Sequence, residues 1–159
     1  MIILGIDPGT ATTGFGVIET TGRTNKMIAT GQISTSKMDK FECRLRQIEE
    51  DIMSLIKTYK PDAASVEQIF FQKNLKTAIQ VSHARGVIIV CLAKMNVPIY
   101  EYTPLQVKQG MTGYGKASKK EVQEMVKLEL KLNKIPKPDD AADALAMAII
   151  CASEISKQR

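Results

Sequence analysis

Apolar residues open the chain as a block: Ile2, Ile3, Leu4 and Ile6 follow one another around Gly5 and stop at Asp7-Pro8-Gly9-Thr10. A strand that is apolar at nearly every position is buried on both faces, which predicts Asp7 at the end of a central strand. Pro8 fixes φ and Gly9 accepts φ > 0, so the chain turns back as a hairpin into the alternating run from Thr13 to Ile18. Lys26 to Ile33 reads as a third strand behind the turn residues Gly22 and Asn25. From Phe41 to Tyr59 the period changes: Leu45, Ile48, Ile52, Leu55 and Ile56 recur at three- and four-residue steps, an amphipathic helix that Lys60-Pro61 ends.

Ala63 to Glu67 is then a short strand reached by a crossover, with Glu67 at its C-terminal end. Asn74 to Met95 has helical spacing, and Ser82, Gly86 and Ala93 keep part of that helix's surface thin. Val97 to Tyr102 reads as a fifth strand, with Pro98 near its start. Thr103-Pro104 opens a short helix through Lys108, Gly110 to Gly115 reads as a loop, and Ser118 to Leu132 as a polar helix. Lys137-Pro138-Asp139-Asp140 opens a final, Ala-dense helix. The order predicts an α/β fold with a five-stranded mixed sheet, an antiparallel meander followed by parallel strands, flanked by helices. A dinucleotide-binding unit starts differently, with a strand, a G-x-G-x-x-G turn and a helix.

Composition narrows the picture only slightly. The length of 159 residues suits one domain over residues 1–159. A net charge of +5 and a pI near 9.1 fit a polyanionic partner. Cys43, Cys91 and Cys151 lack metal spacing and read as reduced core thiols. With no basic leader and no long apolar run, the expected setting is the cytoplasm, away from any membrane.

Candidate chemistry lies in four carboxylates: Asp7 and Glu67 at two strand ends, and Asp140 and Asp143 at the start of the last helix. Each has a plainer role open to it. Asp7 can open its own turn, Glu67 can be a solvated strand end, and Asp140 can cap a helix. Asp143 is harder to dismiss, because it sits among small apolar residues on the helix face of Asp140. Asp139, four residues before Asp143, shares that face equally well, and spacing does not choose between them. Two carboxylates about 4 Å apart repel by roughly 4 kcal/mol at an effective dielectric near 20, so a converged cluster demands cations or protons. Oxygen-only ligands favour Mg²⁺ or Mn²⁺ over zinc, and the chemistry that follows is hydrolysis of a phosphodiester.

The pieces Ile3 to Gly9, Val66-Glu67-Gln68-Ile69-Phe70, Ala84-Arg85-Gly86, Gln106-Val107-Lys108-Gln109 and Asp140 to Leu145 resemble, in the same order, the RuvC family of Holliday junction resolvases. The resemblance covers essentially the whole chain. It implies a ribonuclease-H-like fold, a homodimer, and symmetric Mg²⁺-dependent nicking of four-way DNA junctions in recombination and repair. Two Mg²⁺ ions per site are implied, with Mn²⁺ able to substitute, and a branch-migration motor of the RuvA and RuvB type is the implied partner complex. The family's D-x-x-D-A-L pattern selects Asp140 and Asp143, which with Asp7 and Glu67 fill all four acidic positions.

By the same resemblance Phe70 is the wedge at the junction's exchange point, and Lys108 and Lys119 are the preferred phosphate or scissile-site contacts. The residues themselves suggest Lys73, Lys116 and Lys120 as further phosphate contacts, since Phe70-Phe71-Gln72-Lys73 mixes rings with charge and a basic loop surrounds Tyr114. A solvated charge run and a pair of core Phe are the plainer readings. A pseudo-twofold junction calls for two related sites, and the thin stripe of the 74–95 helix is the candidate interface. The competing functional reading is a non-catalytic module that binds branched DNA; a third, an actin-like phosphate loop at Asp7-Pro8-Gly9-Thr10, lacks the length and second loop it needs.

Overall fold

A computed structural model describes residues 1–69 and 75–158. Its sheet has the strand order β3-β2-β1-β4-β5, with β1 Ile2–Asp7, β2 Thr12–Thr20, β3 Asn25–Ser34, β4 Ala63–Glu67 and β5 Ile99–Tyr102. The first three strands form the antiparallel meander, and β4 and β5 continue the sheet in parallel to β1. The C-terminal ends of β1, β4 and β5 therefore share one edge. The register places Ile6 beside Val66, so Asp7 and Glu67 leave the sheet as neighbours.

Helices α1 Phe41–Tyr59 and α2 Leu75–Lys94 cover one face of this sheet, packing Ile48, Ile52, Ala84, Ile88 and Leu92 on Leu4, Ile6, Val17 and Val66. On the other face α5, Asp139–Lys157, lies against Ile3 and Ile18, with α3 Pro104–Thr112 and α4 Lys119–Glu129 outside it. Strand alternation decides which residue serves which layer: Leu4 and Ile6 point to α1 and α2, whereas Ile3, Gly5 and Asp7 point to α5.

Glycines let α5 approach the sheet at backbone distance. A Cβ on Gly5 would overlap the Ala144 carbonyl, one on Gly14 would overlap the Asp140 carbonyl, and one on Gly16 would lie 2.6 Å from Leu145 Cγ. Ala141, Ala144 and Ala148 complete the thin contact from the helix side, all of them buried. This close docking brings the first turn of α5 to the end of β1.

Several boundaries differ from the pattern-based expectation. Helix α3 continues past Lys108 to Thr112, because Gly110 is packed under Ile150 instead of breaking the helix. The break comes at Gly113, whose φ of 74° ends the helix. At its start Thr103 and Gln106 form a reciprocal capping box. Helix α4 stops at Glu129, since Lys131 turns left-handed at φ 52°. Strand β5 begins at Ile99; before it the Pro98 carbonyl only accepts from Ala64 N, at 2.9 Å. Cys91 and Cys151 are buried as expected, but Cys43 is exposed on the first turn of α1, so it is a surface thiol. Among the described residues no helix is long and apolar enough to cross a membrane.

Candidate active site

Asp7, Asp140 and Asp143 converge where β1 ends and α5 begins, with one carboxylate oxygen of each within 4.8 Å of the others. The first and last turns of their elements explain why. Asp7 ends the apolar strand on its α5-facing side, and Asp140 and Asp143, three residues apart, are presented on one side of the helix that Gly14 admits. Glu67, at the end of β4, stands outside that trio but close enough for its charge to act on Asp7. Asp139 does not join. Its carboxylate accepts from Lys137 Nζ at 3.0 Å, which holds its pKa below the usual range, and this separates it from Asp140 where spacing could not.

Burial and mutual charge raise three of these acids, Asp7, Glu67 and Asp143. Burial, then the charges of Glu67, Asp143 and Asp140, pushes Asp7 up to about 8. Burial, then the Asp143 charge, also raises Glu67, and burial raises Asp143 against the opposing bond from Lys119. That bond is an ion pair of 2.8 Å between Lys119 Nζ and Asp143 Oδ2. An all-carboxylate donor set of this kind fits a hard divalent cation.

The sign of the pH effect follows from these raised values. The folded, metal-free protein holds the Asp7 proton far more tightly than an unfolded chain, whose carboxyl titrates near 3.8. The stabilisation is therefore complete below about pH 4 and is lost as pH rises through about 8. Melts in EDTA are expected to give a lower Tm at pH 8.5 than at pH 6, a difference that shrinks in Asp7→Asn. Because a cation must displace the same proton, divalent affinity should rise over that window.

Lys108 on α3 and Lys119 on α4 line a cleft of roughly 260 Å³ together with Glu67 and Asp143. Lys116 and Lys120 are exposed nearby, on the loop before α4 and in its first turn, outside the lining of that cleft. Phe70 and Lys73 lie outside the described residues. His83 is exposed on α2 with Nδ1 2.7 Å from the Ile79 carbonyl oxygen, as an ordinary helix residue.

A model of the family described as crossover junction endodeoxyribonuclease RuvC matches residues 3–151. The chain belongs to the RuvC family. The family's member from Petrotoga mobilis is 57% identical over 148 residues, covering 93% of this chain and 91% of the relative. A solved RuvC structure from Thermus thermophilus superposes with a TM-score of 0.92 at 34% identity, covering 99% of this chain and 97% of that one. A second, T. thermophilus RuvC in complex with Holliday junction substrate, gives 0.91 at 31% identity over 99% and 96% of the two chains. The fold is thus ribonuclease-H-like, and the protein is an endonuclease, a hydrolase of DNA.

Two residues at the site escaped the sequence reading. Thr12 Oγ1, from the first residue of β2, donates to Asp140 Oδ2 at 2.7 Å. Arg85 stands in the Ala84-Arg85-Gly86 stretch, where the sequence alone assigns it no role. From α2 its Nε donates to the Glu67 carbonyl at 3.0 Å and its Nη2 to Glu101 Oε2 at 2.5 Å, so it fixes the end of the strand that carries Glu67. A buried-edge Arg opposite Glu101 would have been a signal only with the β4–β5 register in hand.

Proposed function

We propose that this chain resolves four-way DNA junctions by paired, symmetric nicks in recombination and repair, with Asp7, Glu67, Asp140 and Asp143 as the catalytic carboxylates. The observation that carries this reading is the convergence of Asp7, Asp140 and Asp143 at the end of the central strand, with the Glu67 charge beside Asp7. The likeness to a RuvC solved with Holliday junction substrate supports the choice of DNA. The four acids are suited to hold two Mg²⁺ ions, with Mn²⁺ as a working substitute. When bound, such ions supply the Lewis acidity that activates a water and stabilises the leaving oxygen of a phosphodiester.

The chain's own groups do the rest. Asp7, once deprotonated, would serve as a ligand together with Asp140 and Asp143, with Glu67 beside it. Lys108 and Lys119, which line the cleft, are proposed to meet a scissile phosphate and balance charge that grows there. Lys116, Lys120 and Lys73 are proposed as contacts to flanking phosphates, and Phe70, three residues after Glu67, as the wedge that stacks on an opened base step.

Paired nicks require two copies of this site, and a homodimer is the proposed assembly. The exposed face of α2 carries Ile79, His83, Gly86, Val90 and Ala93 at alternating steps of four and three, with Ile79 and Val90 about half exposed. Its opposite face, Ala84, Ile88, Cys91 and Leu92, is buried within the protomer. Val90→Glu is expected to yield a monomer by sedimentation and to turn paired nicks into single, uncoordinated ones. We further propose that residues 1–159 form one nuclease domain acting in the cytoplasm beside a branch-migration motor of the RuvA and RuvB type.

The test is incubation of the protein with end-labelled four-way junctions, fixed and mobile, and with linear duplex, with and without Mg²⁺. Nicks at positions related by the junction's twofold, dependent on Mg²⁺ and absent from duplex, are expected. Binding without nicks on every core sequence would favour the non-catalytic module instead.

A further inference from the structure

Three threonines follow the Asp7 turn, and the structure separates their duties. Thr13 is fully buried and ties the turn to itself, donating from Oγ1 to the Gly9 carbonyl at 2.7 Å. Thr10 offers its carbonyl to Arg44 Nη2 at 2.8 Å and to the Thr35 hydroxyl, which anchors the turn to α1. Thr12 alone of the three sends its side chain across to α5, donating to Asp140 Oδ2 at 2.7 Å.

Its position makes that bond rigid. Thr12 is the first residue of β2, paired in register with Ser34 of β3, so its backbone is held by the sheet. On the same face two residues on, Gly14 receives the Asp140 carbonyl at close contact. Asp140 is thus gripped twice by β2: its backbone by the space Gly14 leaves, its carboxylate by the Thr12 hydroxyl. A carboxylate at the first turn of a helix otherwise rotates freely about χ2, and a hydroxyl that occupies one lone pair fixes the plane in which the others point.

We propose that Thr12 is a positioning residue for the metal centre, orienting the Asp140 carboxylate for cation binding from the hairpin strand. This rests on the reading of the carboxylate cluster as a divalent-cation site. It assigns β2 a part in that site that goes beyond closing the turn after Asp7.

The experiment is calorimetric titration of the metal-free protein with Mn²⁺, at fixed pH, for the parent chain and for Thr12→Val, Thr12→Ser and Thr12→Ala, with Tm recorded for each. Loss of an orienting bond to a metal ligand typically weakens affinity by about 10- to 100-fold. Thr12→Val and Thr12→Ala should fall in that range, and Thr12→Ser, which keeps the donor, should bind within about twofold of the parent. Junction binding in EDTA should not change. If Thr12→Val does not fold, Ser against Ala still isolates the hydroxyl. Mn²⁺ affinity equal across all variants, with or without a fall in Tm, would reduce Thr12 to a docking contact and overturn the proposal. No Mn²⁺ binding by the parent chain would instead overturn the reading of the site.

Discussion

Asp7→Asn is expected to leave junction binding intact and to lower the single-turnover nicking rate in Mg²⁺ by on the order of a thousandfold, equivalent to about 4 kcal/mol of transition-state stabilisation. The physical basis is the position of Asp7 in the cluster. It ends the central strand, converges with Asp140 and Asp143, and has the Glu67 charge beside it from the neighbouring strand. Asn matches its shape and removes only its charge, so the fold has no reason to give way. What is lost is one negative charge and one cation ligand. Gel-shift binding to a four-way junction in EDTA, beside nicking of the same junction in Mg²⁺, separates the two properties. Nicking at the parent rate would remove Asp7 from the mechanism.

Gly5→Ala is the second large effect, and it acts on the fold. The new Cβ would overlap the Ala144 carbonyl and approach Ala148 N to 3.1 Å, and both are backbone atoms of the buried α5. Neither can yield as a flexible side chain would, so either the helix lifts from the sheet or β1 distorts. Overpacking of this kind costs about 3 kcal/mol or more. A fall in Tm of well over 5 °C is expected, with nicking reduced further than the melted fraction explains, because a lifted α5 carries Asp140 and Asp143 away from Asp7. Gly86→Ala provides the contrast. A Cβ there meets nothing within 4 Å on the outer face of α2, and helix propensity alone should stabilise the protomer by up to about 1 kcal/mol. Equal melting of the two variants would contradict the close docking of α5.

Much of this fold was legible in the sequence because it depends on local pattern. The both-faces-apolar run of β1, the turn at Pro8-Gly9 and the three- and four-residue steps of α1 are short-range signals, and they located those elements to within a residue or two. Helix α3 was underestimated because its continuation through Gly110 depends on Ile150, forty residues away, filling the space beside the glycine. The site followed the same division. Chemistry singled out Asp7, Glu67, Asp140 and Asp143 as residue types, but periodicity left Asp139 level with Asp140. Only the rotation of α5, set by Gly14 beneath Asp140 and by Lys137 holding Asp139, distinguishes them in physical terms. Thr12 was invisible for a similar reason, since its partner lies 128 residues on and a strand-opening Thr has no distinctive local pattern.

The metal centre can be tested most directly by anomalous diffraction at the manganese edge, from crystals of the protein soaked in Mn²⁺ in the presence of junction DNA. The four-carboxylate site predicts anomalous density between the side chains of Asp7, Asp140 and Asp143, extending toward Glu67, and its loss in Asp7→Asn. Saturating Mn²⁺ that leaves no peak among these carboxylates, while the same crystals contain nicked junction, would contradict it.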